Sequence, residues 1–131
     1  MDRPHTLNKS QRLKSRKITK ELFLAGDSVF QYPLKCVYLK FKPQEGQTLN
    51  TLLFAATVSK RNFRQAVKRN LIKRHIREAY RLNKPEINQQ QGGEHSWALM
   101  YIYVAKNKED VSMLPDAMRK INKEILKRIT L

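Results

Sequence analysis

Ser59-Lys60-Arg61-Asn62-Phe63-Arg64-Gln65-Ala66-Val67-Lys68-Arg69-Asn70-Leu71-Ile72-Lys73-Arg74-His75-Ile76-Arg77-Glu78-Ala79-Tyr80 is a cationic stretch set between two apolar runs, Leu52–Val58 and Trp97–Ala105. At about 100° per residue, Asn70, Lys73, Arg74, Arg77 and Arg81 fall within one arc of a helix. Ile72, Ile76 and Ala79 fall on roughly the opposite arc, where a helix packs on a core. The spacing predicts a helix from about Arg64 to Leu82. Between Lys60 and Lys84 there are ten lysines and arginines against one acid, Glu78. Like charges one turn apart destabilise a helix by about 0.2–0.5 kcal/mol per pair. A helix that tolerates such repulsion along its length points to a polyanion that relieves it.

Working outward, Leu52–Val58 is nearly all apolar and reads as a central strand, covered on at least one face. Trp97–Ala105 reads as a second buried strand on the same grounds. Upstream, Ser28–Phe30 and Leu34–Phe41 have strand composition and are separated at Pro33. The polar stretch Pro43–Asn50, with Gly46, reads as a hairpin loop. Ile18, Leu22 and Phe23 are spaced for a first helix, with Gly26 as its C-cap. Residues 1–17 form a basic arm with Arg3, Lys9, Arg12, Lys14, Arg16 and Lys17. Lys84–Glu94 reads as an exposed loop, and Met118, Ile121, Ile125 and Ile129 make one stripe of a final helix from about Leu114 to Leu131. The expected order is α-β-β-β-α-β-α, an α+β domain of layered helices and a small mixed sheet.

The 131 residues suit one domain, and 40% apolar content is enough for a core without metal or disulfide. The single cysteine, Cys36, lies among Leu34, Val37, Tyr38 and Leu39 and reads as a buried structural thiol, so nothing points to an oxidising compartment. There is no apolar run of membrane-span length and no apolar signal core, which predicts a soluble, cytoplasmic protein. The formal net charge is +16, with a pI near 10.3. That balance favours nucleic acid over an anionic membrane, because the basic helix has only a narrow aliphatic face. No small-molecule substrate or cofactor bound by the chain itself is expected.

An intrinsic catalytic centre is not expected either. His5, His75 and His95 lie far apart and lack zinc-site spacing. His75, on the flank of the basic helix, reads as a packing or RNA contact. The eleven acids are scattered, with no pair placed for two-metal or general acid–base work. Gly92-Gly93 lacks the lysine and hydroxyl residue of a phosphate loop and reads as a flexible turn.

Ala66-Val67-Lys68-Arg69-Asn70-Leu71-Ile72-Lys73-Arg74-His75-Ile76-Arg77-Glu78 resembles the signature helix of the bacterial ribonuclease P protein family, A-V-x-R-N-x-x-K-R-x-x-R-E, at every fixed position. Arg12-Leu13-Lys14, Leu22-Phe23 with Gly26, Pro33-Leu34 and Thr57-Val58-Ser59-Lys60 agree with it, so the resemblance covers nearly the whole chain. It implies a small α+β sandwich in which two parallel strands, Leu52–Val58 and Trp97–Ala105, flank the basic helix in a left-handed crossover, an exception to the usual hand. It also implies a cofactor of a large catalytic RNA that removes the 5′ leader of precursor tRNA, using magnesium ions held by that RNA. By position, Lys60, Arg69, Asn70, Lys73, Arg74 and Arg77 would contact the RNA subunit, and Arg81 shares their arc. Phe23 would face the leader, together with Tyr38 or its neighbour Val37. The chain departs from the family at Leu71, where arginine is usual, at Thr19, often aromatic, and in the longer turn Arg61-Asn62-Phe63-Arg64-Gln65. A structural RNA binder of the ribosomal kind would explain charge and size as well, but not the signature. A helix in a DNA major groove would want a partner helix or zipper. A stand-alone nuclease would want clustered acids or histidines.

Overall fold

The computed structural model describes residue 13 and residues 16–42, 52–85 and 96–129; the expected basic arm up to residue 12 and most of both polar loops lie outside them. Helix α1 (Arg16–Ala25) leads into β1 (Asp27–Gln31) and β2 (Leu34–Phe41). They are followed by β3 (Leu52–Val58), α2 (Ala66–Leu82), β4 (Ser96–Tyr103), a short 3-10 turn (Glu109–Met113) and α3 (Leu114–Ile129). The α-β-β-β-α-β-α order is as expected. The 3-10 turn had no periodic signal of its own.

The four strands form one mixed sheet in the order β1-β2-β4-β3. β4 pairs antiparallel with β2 and parallel with β3. Two expectations change here. β2 and β3 are not neighbours, so the stretch between them is no hairpin. β3 is an edge strand, whereas β4 takes the centre. The reason lies in the side chains: seven of the eight β4 residues are buried, against two of seven in β3. On the outer side of β3, the Leu13 amide donates to the Phe54 carbonyl at 2.7 Å, so Leu13 blunts the exposed edge at that point.

Strand alternation divides the sheet into two apolar faces. Cys36, Tyr38, Phe54, Trp97, Leu99, Tyr101 and Tyr103 point to the larger core under α2 and α3. Val37, Ala98 and Met100 point the other way and meet Leu22 of α1. The expected helix–sheet sandwich is therefore the main core, and α1 adds a small layer behind it. Gly26 makes the corner after α1: its amide donates to the Leu22 carbonyl at 2.9 Å. A Cβ there would sit 2.5 Å from that oxygen and 2.8 Å from Val37, so only glycine lets the chain turn this close to β2.

Candidate nucleic-acid interface

Helix α2 is held by what it buries. Ile72, Ile76, Ala79 and Tyr80 face the sheet, and each of the larger ones contributes about 1.5–3 kcal/mol by leaving water. Towards its C-terminus, Tyr80 stacks on Phe54 with ring centroids 4.3 Å apart and tilts against Tyr101 at 5.6 Å. The Tyr101 hydroxyl donates to Asn122 Oδ1 at 2.6 Å, and Asn122 Nδ2 donates to the Asn83 carbonyl at 2.5 Å. One buried asparagine thus ties sheet, α3 and the end of α2 together. The Tyr80 hydroxyl is buried without a hydrogen-bond partner among the described residues.

At the other end, the turn from Ser59 to Gln65 is folded by its own polar groups. The Phe63 amide donates to the Ser59 carbonyl, and the Arg61 amide donates to Ser59 Oγ. Phe63 is buried against Tyr103, with centroids 6.0 Å apart. Arg69 Nη1 donates to the carbonyls of Phe63 and Arg64, both at 2.8 Å. With those carbonyls engaged and Gln65 extended, the helix begins at Ala66 rather than Arg64. The longer turn therefore has a structural role: it seats an aromatic anchor and is pinned by the first arginine of the signature.

The seven expected contacts separate accordingly. Lys60 is exposed in the turn, and Asn70, Arg74 and Arg77 are exposed on α2, with Lys73 half-buried beside them. None of these five side chains has a hydrogen-bond or ion-pair partner among the described residues. Arg69 is half-buried and spends one nitrogen on the turn. Arg81 is paired: Nε donates to Glu78 Oε2 at 3.1 Å and Nη2 to Oε1. That fork holds the Glu78 carboxyl below its ordinary pKa and the guanidinium above its own. Leu71 is 43% exposed and Val67 78%, both on the flank beyond Arg74, and His75 is exposed next to them. First-turn acids are absent, and Gln65 provides no side-chain cap, so the positive end of the helix dipole is uncompensated.

The two aromatics expected at the leader do not come together. Phe23 is 63% exposed on α1, on the side of the sheet that carries Val37. Tyr38 points to the opposite face and is buried against Trp97, with its hydroxyl beside Arg128. It lines a separate groove of about 540 Å³. Of the two neighbours considered for that wall, Val37 is the one on the side of α1; alternation along β2 decides it. Two residues missed from the sequence share that side. Phe30, 59% exposed, pairs with Lys35, which pairs with Ile102, which in turn pairs with Thr57. The row is left open and ends two residues before Ser59. Only the period-2 alternation of β1 hinted at it.

Among the described residues, no three histidine, cysteine, aspartate or glutamate side chains gather as metal ligands. No described helix is long and apolar enough to cross a membrane.

The family model for ribonuclease P matches residues 7–129. The chain belongs to the ribonuclease P protein family. Two ribonuclease P protein components from Porphyromonas gingivalis strains, ATCC 33277 and W83, are each 35% identical over 115 residues, spanning 87% of this chain and 82% of theirs. In fold, the chain resembles the ribonuclease P protein of Staphylococcus aureus, with a TM-score of 0.57 at 21% identity over 92% of this chain and 96% of that one. The Thermotoga maritima protein gives a TM-score of 0.57 at 23% identity over 89% and 98%. The mixed sheet with three helices is thus the family's fold, and the signature helix is its α2.

Proposed function

We propose that this chain is the protein subunit of a ribonuclease P ribonucleoprotein that removes the 5′ leader of precursor tRNA. The observation that carries the reading is the outer face of α2 and its turn, where Lys60, Lys73, Arg74 and Arg77 stand without acidic partners among the described residues, on and beside a rigidly seated helix. That face binds the phosphate backbone of the catalytic RNA, with arginines forking onto phosphate oxygens and Asn70 adding a hydrogen-bonding edge. On the other side of the sheet, Phe23 and the open row from Phe30 and Lys35 to Thr57 suit a single-stranded leader: aromatic rings stack on any base and a cation tracks the backbone. The chain contributes no bond chemistry. Magnesium ions for hydrolysis reside with the RNA, and the protein's cations lower the concentration needed by offsetting phosphate repulsion.

The test is cleavage of a precursor tRNA by the cognate ribonuclease P RNA at low magnesium, with and without the protein. Strong stimulation, with no cleavage by the protein alone, is expected. Tight RNA binding without stimulation would overturn the reading in favour of a structural RNA binder.

A further inference from the structure

A second cationic surface lies on the far flank of α2. A groove of about 360 Å³ runs between the N-terminal end of α2 and the connection from β4 to the 3-10 turn. Arg64 and Lys68 stand on one wall, Lys106 and Lys108 on the other, and Glu109 also lines the groove. All four cations are exposed, and none has an acidic partner among the described residues. Nine residues at about 100° each place Lys68 opposite Arg77 around the helix, so the groove is no extension of the signature arc.

Both walls are fixed. The Tyr103 hydroxyl donates to the Asn107 carbonyl at 2.7 Å. Asn107 Nδ2 donates to Asp110 Oδ2 at 3.2 Å, and the Asp110 amide donates back to Asn107 Oδ1 at 3.1 Å. The Tyr32 hydroxyl reaches the same Asp110 carboxylate at 2.5 Å. The loop that carries Lys106 and Lys108 is therefore tied to the sheet, and the Phe63–Tyr103 contact ties the opposite wall to the same strand. Four unpaired cations held around one groove face a fixed anionic object better than solvent.

We propose that this groove takes backbone phosphates of the RNA subunit, so that the RNA grips the N-terminal end of α2 from both flanks. The proposal rests on the RNA-subunit reading above. It assigns the groove to that RNA rather than to the leader because the groove lies on the side of the sheet that carries α2 and α3, away from the row with Phe30 on the side of α1. Lysines supply point charges without directional forks, which suits phosphates and no particular sequence.

The experiment is titration of the ribonuclease P RNA with the full-length protein over a range of salt. The double variant Lys106→Gln/Lys108→Gln is compared with Lys120→Gln/Lys123→Gln, an equal charge change on the outer face of α3. The groove variant is expected to lose about 1.4–1.8 units of salt slope and to bind about 25- to 60-fold more weakly near 0.1 M salt. The α3 variant is expected to bind like the parent. Equal losses in both variants, or unchanged slope in the groove variant while the parent binds tightly, would overturn the groove and leave the α2 reading standing. A loss confined to precursor tRNA binding by the assembled complex would overturn the assignment to the RNA subunit. A parent that does not bind this RNA at all would remove both.

Discussion

Glu78 is the one acid on α2, and its carboxylate holds Arg81 through both Nε and Nη2. If the α2 face binds RNA, Glu78→Gln should strengthen that binding. The unpaired cations of this face, Lys60, Lys73, Arg74 and Arg77, contribute roughly −3.6 to the slope of log affinity against log salt, at about −0.9 per phosphate neutralised. Releasing Arg81 adds a fifth contact on this face and steepens the slope by about 0.9, which is ~8-fold tighter binding near 0.1 M salt. The fold should be little affected, because an exposed pair of this kind adds little to stability. Glu124→Gln is the control, since it also removes an acid paired to an arginine, Arg128, but on α3. Binding to the ribonuclease P RNA would be followed by filter retention across about 0.05–0.4 M salt. An unchanged slope, weaker binding, or the same gain from Glu124→Gln would refute the reasoning.

Three further outcomes follow from the same geometry. Arg69→Ala removes two hydrogen bonds to backbone carbonyls and should lower stability by about 1.5–3 kcal/mol in urea unfolding; a full unit of lost salt slope at unchanged stability would instead make Arg69 a phosphate contact. Tyr80→Phe keeps the ring on Phe54 and deletes a buried hydroxyl without a partner, so stability should stay level or rise by about 1 kcal/mol, and a clear loss would contradict this. Burial pushes the Tyr80 and Tyr101 phenols above their ordinary value of 10.0, and Tyr103 up to about 12. Above pH 10 the unfolded chain holds fewer protons than the folded one, so the stabilisation from these groups, complete below pH 10, should decline as pH rises through 12; circular dichroism that keeps the unfolding midpoint constant over that range would count against it.

The patterns that were legible in the sequence are local ones. Period 3.6 in α2 and α3, and apolar runs in β2, β3 and β4, mark elements within a few residues of their observed ends. What could not be read is partnership. An apolar run such as Leu52–Val58 looks the same at the edge of a sheet as at its centre, because its composition records burial and not which strand lies beside it. Tyr38 and Val37 are both apolar enough to face inward, so alternation fixes that they diverge but not which one meets α1. Counting cations on α2 cannot tell that Arg69 bonds the preceding turn or that Arg81 is held by Glu78. The cations at Lys106 and Lys108 stood apart from any motif, and only the fold brings them to the end of α2.

The central place of β4 has a consequence for how the chain is made. β1 and β2 can pair as soon as they are translated, but neither β2 nor β3 has its inner neighbour until Ser96–Tyr103 emerges. Until then the aromatic seat for Tyr80 and Phe63 lacks Tyr101 and Tyr103, and of the sheet rings that hold α2 and its turn only Phe54 is present. Non-local pairing of this sort is slow to close. It also means that a nascent chain cannot present the seated cationic face of α2 before β4 has been synthesised, so if that face binds RNA, assembly waits for β4 and not for α2 itself.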